Sequence, residues 1–293
     1  MSGQLTTFVA EAIRMAVPYM ACGLGAVLTE RSGVVNIGLE GALGVSALCA
    51  AVGAIATGSG LVGLGAGVSG GAFYCLLHGV LVVRARVDAM VSGIALTMAA
   101  YGGGRVALRL LYGSASNSPK VPGLPGLEST SAVLRVVSEP ALLVFGVAAG
   151  MLVLVLERTR LGLRLRASGD NEAAAEAAGV EVGATRLWAS VLSGVACGLG
   201  GVHMVFDQRQ YDAGMTGGRG FLALAAAILG RHRPGATLLA CGGFAALEAA
   251  QIAWQDSLKL APELVRLLPF VATMGLLMRG RSGMALARGR LWR

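Results

Sequence analysis

The chain has 293 residues, of which 55% are hydrophobic and only 14% are charged, and its formal net charge is +8. Soluble globular domains carry about 25% charged residues, so this sequence lacks the polar surface that a soluble protein of its size requires. A nucleic-acid-binding protein would need a basic soluble face, and we therefore expect no nucleic-acid partner. The composition predicts a polytopic membrane protein embedded in a lipid bilayer.

Nine apolar segments follow one another along the chain, and most are near the ~20 residues that a helix needs to cross a bilayer. They are 5–28, 33–56, 60–83, 88–112, 139–156, 185–206, 219–230, 235–255 and 262–278. The segment 219–230 is clearly shorter than the others. The sequence therefore predicts an all-α membrane protein: a polytopic helical bundle of about nine transmembrane segments, in a single domain over residues 1–293.

Arginine clusters in the links between these segments predict the orientation of the bundle. The clusters lie at 84–86, 158–186, 231–233 and 279–293. If the basic tail 279–293 is cytoplasmic, nine crossings place every cluster on the cytoplasmic side, as the positive-inside rule requires. The N-terminus is then outside and the C-terminus is cytoplasmic. If 219–230 did not cross, the pattern would break at 231–233.

Two links have a distinct composition. Residues 113–138 are rich in Ser, Pro and Gly, which predicts an extracytoplasmic loop with little regular structure. The predicted cytoplasmic link 157–184 contains a helix signature at about 170–179: Asp170 and Asn171 are possible N-caps, "EAAAEAA" favours helix, and Gly179 is a stop signal. This short helix is either a solvated connector or a docking element for a cytoplasmic partner.

Catalytic and cofactor-binding motifs are missing from the sequence. The chain has no G-x-x-x-x-G-K-[ST] loop, which excludes an ATPase site of its own, and it has no H-E-x-x-H or CxxC motif. The three histidines are dispersed and the five cysteines lie in apolar runs without metal-like spacing. We therefore expect no cofactor, no metal and no enzymatic activity. The protein is expected to be a transporter or a scaffold.

Two stretches, 28–45 and 207–230, combine glycines with charges near membrane depth. Glycine costs about 1 kcal/mol relative to alanine in a helix interior, so we expect the helices to break at "SGVV" and at "MTGGRG". Broken helices in the two halves of a transporter indicate its substrate path. The candidate pathway residues are Asn36, Glu40, Gly217, Gly218, Arg219, Phe221 and Glu248.

Among these candidates, the acidic residues carry the clearest physical argument. If the second helix resumes near Val34, Asn36 and Glu40 are four residues apart and share one face. An isolated Glu at mid-bilayer is costly, so Glu40 must face the bundle interior, a cavity or a partner, and Glu248 has the same status. Two interpretations of Asn36 and Glu40 stay open: they line the path, or they form a hydrogen-bond network that holds the bundle together.

Three blocks of the sequence carry a family resemblance. "LTERSGVVNIGLEG", "RTRLGLRLRASGDNEAAAEAAGV" and "GGRGFLALAAAILGRHRPGA" closely resemble, in this order, blocks of bacterial ABC-importer permeases of the branched-chain amino acid and ribose type. Within this group they are most similar to the simple-sugar and nucleoside branch. The resemblance implies a type II ABC-importer-like fold with discontinuous helices, in the bacterial plasma membrane.

The resemblance also implies partners. Such permeases work with cytoplasmic ATP-binding subunits, with a second permease subunit, often as a heterodimer, and with an extracytoplasmic substrate-binding protein or lipoprotein. The segment 170–179 resembles the coupling helix that contacts the ATPase, and the segment 28–45 and "GGRGF" resemble family segments near the translocation path. The implied ATPase-coupling residues are Asp170, Asn171, Glu172, Glu176, Ala177 and Gly179.

The leading hypothesis is a permease subunit of an ABC importer that takes up nucleosides or simple sugars, with ATP hydrolysed by a separate subunit. One alternative is a permease for branched-chain amino acids. A second is an ion-gradient-driven secondary transporter in which Glu40 and Glu248 carry the ion. A third is a membrane scaffold without transport activity, which leaves both predicted helix breaks unexplained.

Overall fold

The computed structural model describes residues 2–124 and 140–258, together with residues 271 and 275. Ten helices account for most of these residues, and the described residues include no β-strand. The helices are α1 (Ser2–Arg31), α2 (Leu39–Thr57), α3 (Gly60–Val83), α4 (Ala89–Tyr112), α5 (Pro140–Arg158), α6 (Arg160–Asp170), α7 (Glu172–Ala177), α8 (Val182–Gln208), α9 (Arg219–Leu229) and α10 (Pro234–Leu258). The predicted all-α bundle is thereby confirmed.

Five of the helices, α1, α2, α3, α8 and α10, are long and apolar enough to cross a membrane. The helices α5 and α6 meet at a bend of 65° and make a sixth span if they are taken together. The helix α9 has only 11 residues, about 16 Å at 1.5 Å per residue, which is half of a bilayer core. The described residues therefore do not confirm the predicted count of nine, and the predicted segment 262–278 lies largely outside them.

Close contact between α3 and α8 forms the centre of the bundle. A Cβ atom added to Gly71 would lie 2.6 Å from the carbonyl oxygen of Gly194, and one added to Gly198 would lie 2.7 Å from the Cα of Val68. Because only glycine leaves room for two backbones at this distance, these residues let the two helices touch directly. The helices α1 and α2 also pack on α8, and α10 packs on α1.

The arginine-rich links meet at one end of the bundle, which we call the basic end. Arg31 donates from Nε to the carbonyl oxygen of His232 at 2.7 Å, and Arg186 donates from Nε to the carbonyl oxygen of Ser32 at 3.2 Å. Arg86 lines the same cleft as Arg186. The links that contain 84–86, 158–186 and 231–233 therefore lie on one side, as the predicted topology requires, while the tail 279–293 lies outside the described residues.

At the far end of α8, the segment 114–121 pairs with the segment 209–213. The amide of Ser118 donates to the carbonyl oxygen of Tyr211 at 2.9 Å, and the amide of Val121 donates to that of Arg209 at 2.8 Å. From this end the chain returns through the irregular residues 209–218 and then through α9, whose C-terminus reaches the basic end beside Arg31. An irregular stretch and a short helix together thus connect the far end of α8 to the basic end.

Candidate functional site

The first helix break lies between the end of α1 at Arg31 and the start of α2 at Leu39. Gly33 has a φ of +88°, and the amides of Ser32 and Val34 both donate to the carbonyl oxygen of Thr29 at 3.0 Å, which closes the C-terminus of α1. The predicted restart of the helix near Val34 is wrong. Asn36 lies in the irregular segment and is not on one helical face with Glu40.

Asn36 has a local task that explains this difference. Its Oδ1 accepts a hydrogen bond from the amide of Gly38 at 2.9 Å, so that the side chain holds the backbone in a turn. Its Nδ2 lies 3.7 Å from the sulfur of Cys75 on α3. Asn36 is fully buried. An asparagine that binds the backbone two residues ahead competes with helix formation, and this delays α2 until Leu39.

The second helix break precedes α9. Gly217 and Gly218 have φ values of +57° and +84°, in the left-handed region that favours glycine. Gly218 is the N-cap of α9, and it has no side chain to accept from the first amides of the helix. Those amides point into the protein interior, where a buried donor needs an acceptor from elsewhere in the chain.

Glu40 supplies this acceptor and joins the two breaks. Its Oε1 accepts from the amide of Gly218 at 2.8 Å and from the hydroxyl of Tyr101 at 2.8 Å, and its Oε2 accepts from the amide of Gly220 at 2.6 Å. The residue is fully buried. A carboxylate at a helix N-terminus is stabilised by the orphan amides and by the helix dipole. We call Glu40, Tyr101, Gly218 and Gly220 the Glu40 junction.

The backbones at the Glu40 junction are as close as its hydrogen bonds suggest. A Cβ atom added to Gly220 would lie 2.6 Å from both the Cα and the amide nitrogen of Glu40. Real Cβ atoms do not approach backbone atoms this closely, so the first turn of α9 fits against α2 only with glycine at this position. The N-termini of α2 and α9 therefore lie directly against each other.

A partly buried ion pair follows the junction on α9. Arg219 donates from Nη2 to Oε1 of Glu248 at 2.7 Å and from Nε to Oε2 at 3.3 Å, and the hydroxyl of Tyr19 donates to Oε2 at 2.9 Å. The two charged side chains are 15% and 19% exposed. Glu248 is thus not an isolated charge in the bundle. This Arg219–Glu248 pair ties α9 to α10 and, through Tyr19, to α1.

The predicted pathway residues therefore fall into distinct environments. Asn36 and Glu40 are fully buried, Gly217 and Gly218 form the second break, and Phe221 points outward from α9 with 43% of its surface exposed. The prediction did not include Tyr101, Tyr19 or Gly220. The acidic residues themselves could have indicated such partners, because a buried carboxylate needs hydrogen-bond donors. Whether any of these residues contacts substrate stays a prediction.

The predicted coupling residues lie at the basic end. Asp170 ends α6, and Asn171 caps α7 by accepting from the amide of Ala174 at 3.1 Å. Gly179 follows α7 with a φ of +80°. The predicted residues of this segment share exposure to solvent, and only Ala175 is buried against the bundle: the exposed ones are Asp170, Asn171, Glu172, Glu176, Ala177 and Gly179. The preceding helix α6 was not predicted as a separate element.

Metal ligation has no support in the parts of the chain that the structure describes. Within them, no group of three or more His, Cys, Asp or Glu side chains is arranged to hold a metal ion. The charged groups of the two breaks instead bind one another and the backbone. The site is therefore built to hold two discontinuous helices in register inside an apolar bundle.

Comparison with known families gives a match over almost the whole chain. Residues 8–277 match the model of a family described as branched-chain amino acid transport system / permease component. The guanosine ABC transporter permease protein NupQ of Bacillus subtilis (strain 168) is 30% identical over 246 residues, which cover 78% of this chain and 77% of that protein. The match extends well beyond the three sequence blocks.

Two further relatives have comparable similarity. The nucleoside ABC transporter permease protein NupC of Lactococcus lactis subsp. cremoris (strain MG1363) is 33% identical over 247 residues, covering 78% of this chain and 77% of that protein. The protein TsgC13 of Haloferax volcanii, whose name assigns it to a glucose ABC transporter, is 30% identical over 263 residues, covering 85% and 78%. The names of these relatives span nucleosides and a sugar.

A solved structure has the same fold. It is described as an inward-facing conformation of a metal-chelate type ABC transporter, and it aligns with a TM-score of 0.54 at 16% sequence identity. The alignment covers 95% of this chain and 90% of that chain. At this identity the similarity shows the fold alone.

Proposed function

The chain belongs to the family of branched-chain amino acid transport system permease components, and on that premise we propose that it is the permease through which an ABC importer takes up nucleosides. It is a transmembrane transport subunit without an ATPase site of its own. The names of two relatives, which specify guanosine and nucleosides, support nucleosides ahead of simple sugars as the substrate class.

The observation that carries the proposal is the Glu40 junction. Two discontinuous helices, one from each half of the chain, meet inside the bundle, and this is the arrangement that transporters place around their substrate path. Irregular backbone is tolerated at membrane depth only where protein or water satisfies it. Here Asn36 and Glu40 satisfy it, and both are fully buried. These contacts support a role in holding the path together rather than in contacting the substrate.

The proposed mechanism is alternating access driven from the basic end. In this proposal the basic end is cytoplasmic and α7 docks on the ATP-binding subunit, because its solvent-exposed face leaves Glu172 and Glu176 accessible to a partner. Closure of the ATP-binding subunits on ATP would displace α7 and shift the broken helices as a unit around the path. The acids that a secondary transporter would use as ion carriers are already bound by protein donors.

The remaining partners follow from the family. We propose a second permease subunit beside this one and an extracytoplasmic binding protein or lipoprotein that delivers the substrate to the end formed by 114–121 and 209–213. The ABC permease membership supports ATP-binding subunits as partners.

Uptake of labelled substrates by cells with and without the gene tests this function. Guanosine, uridine, ribose and leucine are offered in parallel, and ATP-dependent accumulation of the two nucleosides is the expected result. Accumulation of ribose or leucine alone would contradict the substrate proposal. Transport by the purified chain in liposomes with a proton gradient and without ATP would contradict the ABC mechanism.

A further inference from the structure

Arg186, near the N-terminus of α8, holds together two elements that the proposed mechanism needs to connect. Its Nη1 and Nη2 donate to Oε1 and Oε2 of Glu172, both at 3.0 Å, and its Nε donates to the carbonyl oxygen of Ser32 at 3.2 Å. One planar guanidinium thus binds the first residue of α7 and the first helix break at the same time. Such a fork fixes direction as well as distance.

The turn that Arg186 grips is tightly built. Ser32 donates from its hydroxyl to the carbonyl oxygen of Thr29 at 2.7 Å, and Gly33 follows in the left-handed conformation. Gly169, close to the C-terminus of α6, packs against this turn: a Cβ atom added there would lie 3.1 Å from the amide of Gly33. Because these contacts hold the turn closely, we expect a displacement at Ser32 to move the residues that follow it.

Few residues separate this turn from the Glu40 junction. The segment between them is held at Val35, whose carbonyl oxygen lies 3.4 Å from Nε2 of His78, and at Asn36, which fixes Gly38. Leu39 then starts α2 and Glu40 binds the N-terminus of α9. A continuous series of contacts therefore runs from Glu172 through Arg186 to the contact between the two discontinuous helices.

The surroundings leave α7 room to move. A cleft of about 400 Å³ lies beside it, lined by Gly33, Arg86, Glu176 and Arg186 among others. The side chain of Glu172 is 54% exposed and that of Arg186 is 21% exposed. An exposed ion pair contributes little to stability, so the bidentate geometry is not explained by a need to stabilise the fold.

We propose that Arg186 is the positioning residue that transmits displacement of α7 to the first helix break and so couples ATP hydrolysis to substrate movement. This inference rests on the proposed function, because it requires that α7 contacts an ATP-binding subunit. It assigns to Arg186 a role beyond that of one more positive charge in a basic link. Glu172 is its partner on α7, and Ser32 receives the movement.

The experiment compares variants in the complete importer, with both permeases, the ATP-binding subunits and the binding protein in proteoliposomes. Guanosine uptake and ATP hydrolysis are measured together, and their ratio is the readout. Arg186→Gln is expected to assemble and to hydrolyse ATP while guanosine uptake per ATP falls about 2- to 30-fold, the range that coupling residues show. Arg186→Lys keeps the charge but loses the fork, and an intermediate ratio is expected.

Matched controls separate transmission from general damage. Glu172→Gln is expected to lower the ratio less than Arg186→Gln, because its remaining side-chain oxygen can still accept one of the two bonds from Arg186. The controls are the exposed residues Arg164→Gln on α6 and Glu181→Gln before α8, and both are expected to keep the wild-type ratio. An unchanged ratio in Arg186→Gln overturns the inference, and so does an equal loss in the controls. Failure of the wild-type importer to take up any nucleoside overturns the proposed function itself.

Discussion

Replacing Glu40 by glutamine tests whether the Glu40 junction holds α2 and α9 together. The substitution keeps the size of the side chain but removes its charge and one of its two acceptor oxygens. In the less costly orientation the amide oxygen faces Gly218 and Tyr101, and the NH₂ group then points at the amide of Gly220, which loses its 2.6 Å bond. The first turn of α9 is left with one buried donor without an acceptor.

The expected cost follows from two contributions. A buried amide without an acceptor costs about 1–3 kcal/mol. Loss of the carboxylate from a helix N-terminus costs about 0.3–1 kcal/mol, or up to ~2 kcal/mol where the site is buried as it is here. Together they give about 1–5 kcal/mol for Glu40→Gln. Glu40→Ala leaves the amides of Gly218 and Gly220 without an acceptor, about 2–6 kcal/mol, while the hydroxyl of Tyr101 still has Oγ1 of Thr216 at 3.5 Å. The upper end of this range is comparable to the whole stability of a domain.

Thermal unfolding of the purified chain in detergent measures this effect. At roughly 2–4 °C per kcal/mol, Glu40→Gln is expected to lower Tm by about 2–20 °C, and Glu40→Ala is expected not to accumulate in the membrane. The exposed Glu181→Gln is the matched control for the same chemical change, and it should leave Tm unaltered. A Tm for Glu40→Gln equal to that of the control would refute the junction. Loss of uptake at an unchanged Tm would instead indicate that Glu40 contacts the substrate.

Three further outcomes are expected from the same geometry. Gly220→Ala should lower Tm because its Cβ would meet the backbone of Glu40 at 2.6 Å. Gly243→Ala on α10, where a Cβ meets nothing within 4 Å, should instead stabilise the protein by up to about 1 kcal/mol and so raise Tm. Equal effects of the two substitutions would contradict the packing. Arg219→Gln should cost up to about 3–5 kcal/mol in an unfolding assay, because the partly buried Glu248 loses its cationic partner and keeps only the hydroxyl of Tyr19 as a donor. The double variant with methionine at both positions should recover most of this loss, and a double variant as unstable as Arg219→Gln would contradict the pair. Asn171→Ala removes the cap of α7 and should reduce uptake while Tm stays constant. Asn171→Asp keeps an acceptor at the cap and should restore uptake. A large drop in Tm for Asn171→Ala would show instead that α7 supports the whole bundle.

The sequence predicted an all-α membrane protein and most of its helices, because the bilayer alone sets the apolar composition and the length of the helices that cross it. The segments 60–83 and 185–206 correspond to α3 and α8 within a few residues. The end of the first break was not predicted correctly. Periodicity assumes that a helix resumes as soon as the pattern allows, and it contains no information on Asn36, whose side chain binds the amide of Gly38 instead.

The hydrogen-bond partners of the charged residues also could not be predicted from the sequence. Glu40 and Gly218 are separated by 178 positions, and nothing in either stretch specifies that the carboxylate of one caps the helix that follows the other. The physical rule that a buried acid needs donors was available, but the identity of the donors depends on tertiary packing. The sequence places Arg186 only in a basic link, because charge counting treats every arginine near a membrane surface alike.

The separation of Glu40 from its donors has a consequence for biosynthesis. Tyr101 follows it by 61 residues and Gly220 by 180. At ~5–20 residues per second, the ribosome needs roughly 10–40 s after α2 emerges before α9 exists. During this interval the carboxylate of Glu40 lacks both of its amide donors, and an acidic side chain without partners is costly within a membrane. The nascent first half therefore has only the hydroxyl of Tyr101 to offer Glu40, and synthesis of the second half supplies the two amides that complete the Glu40 junction.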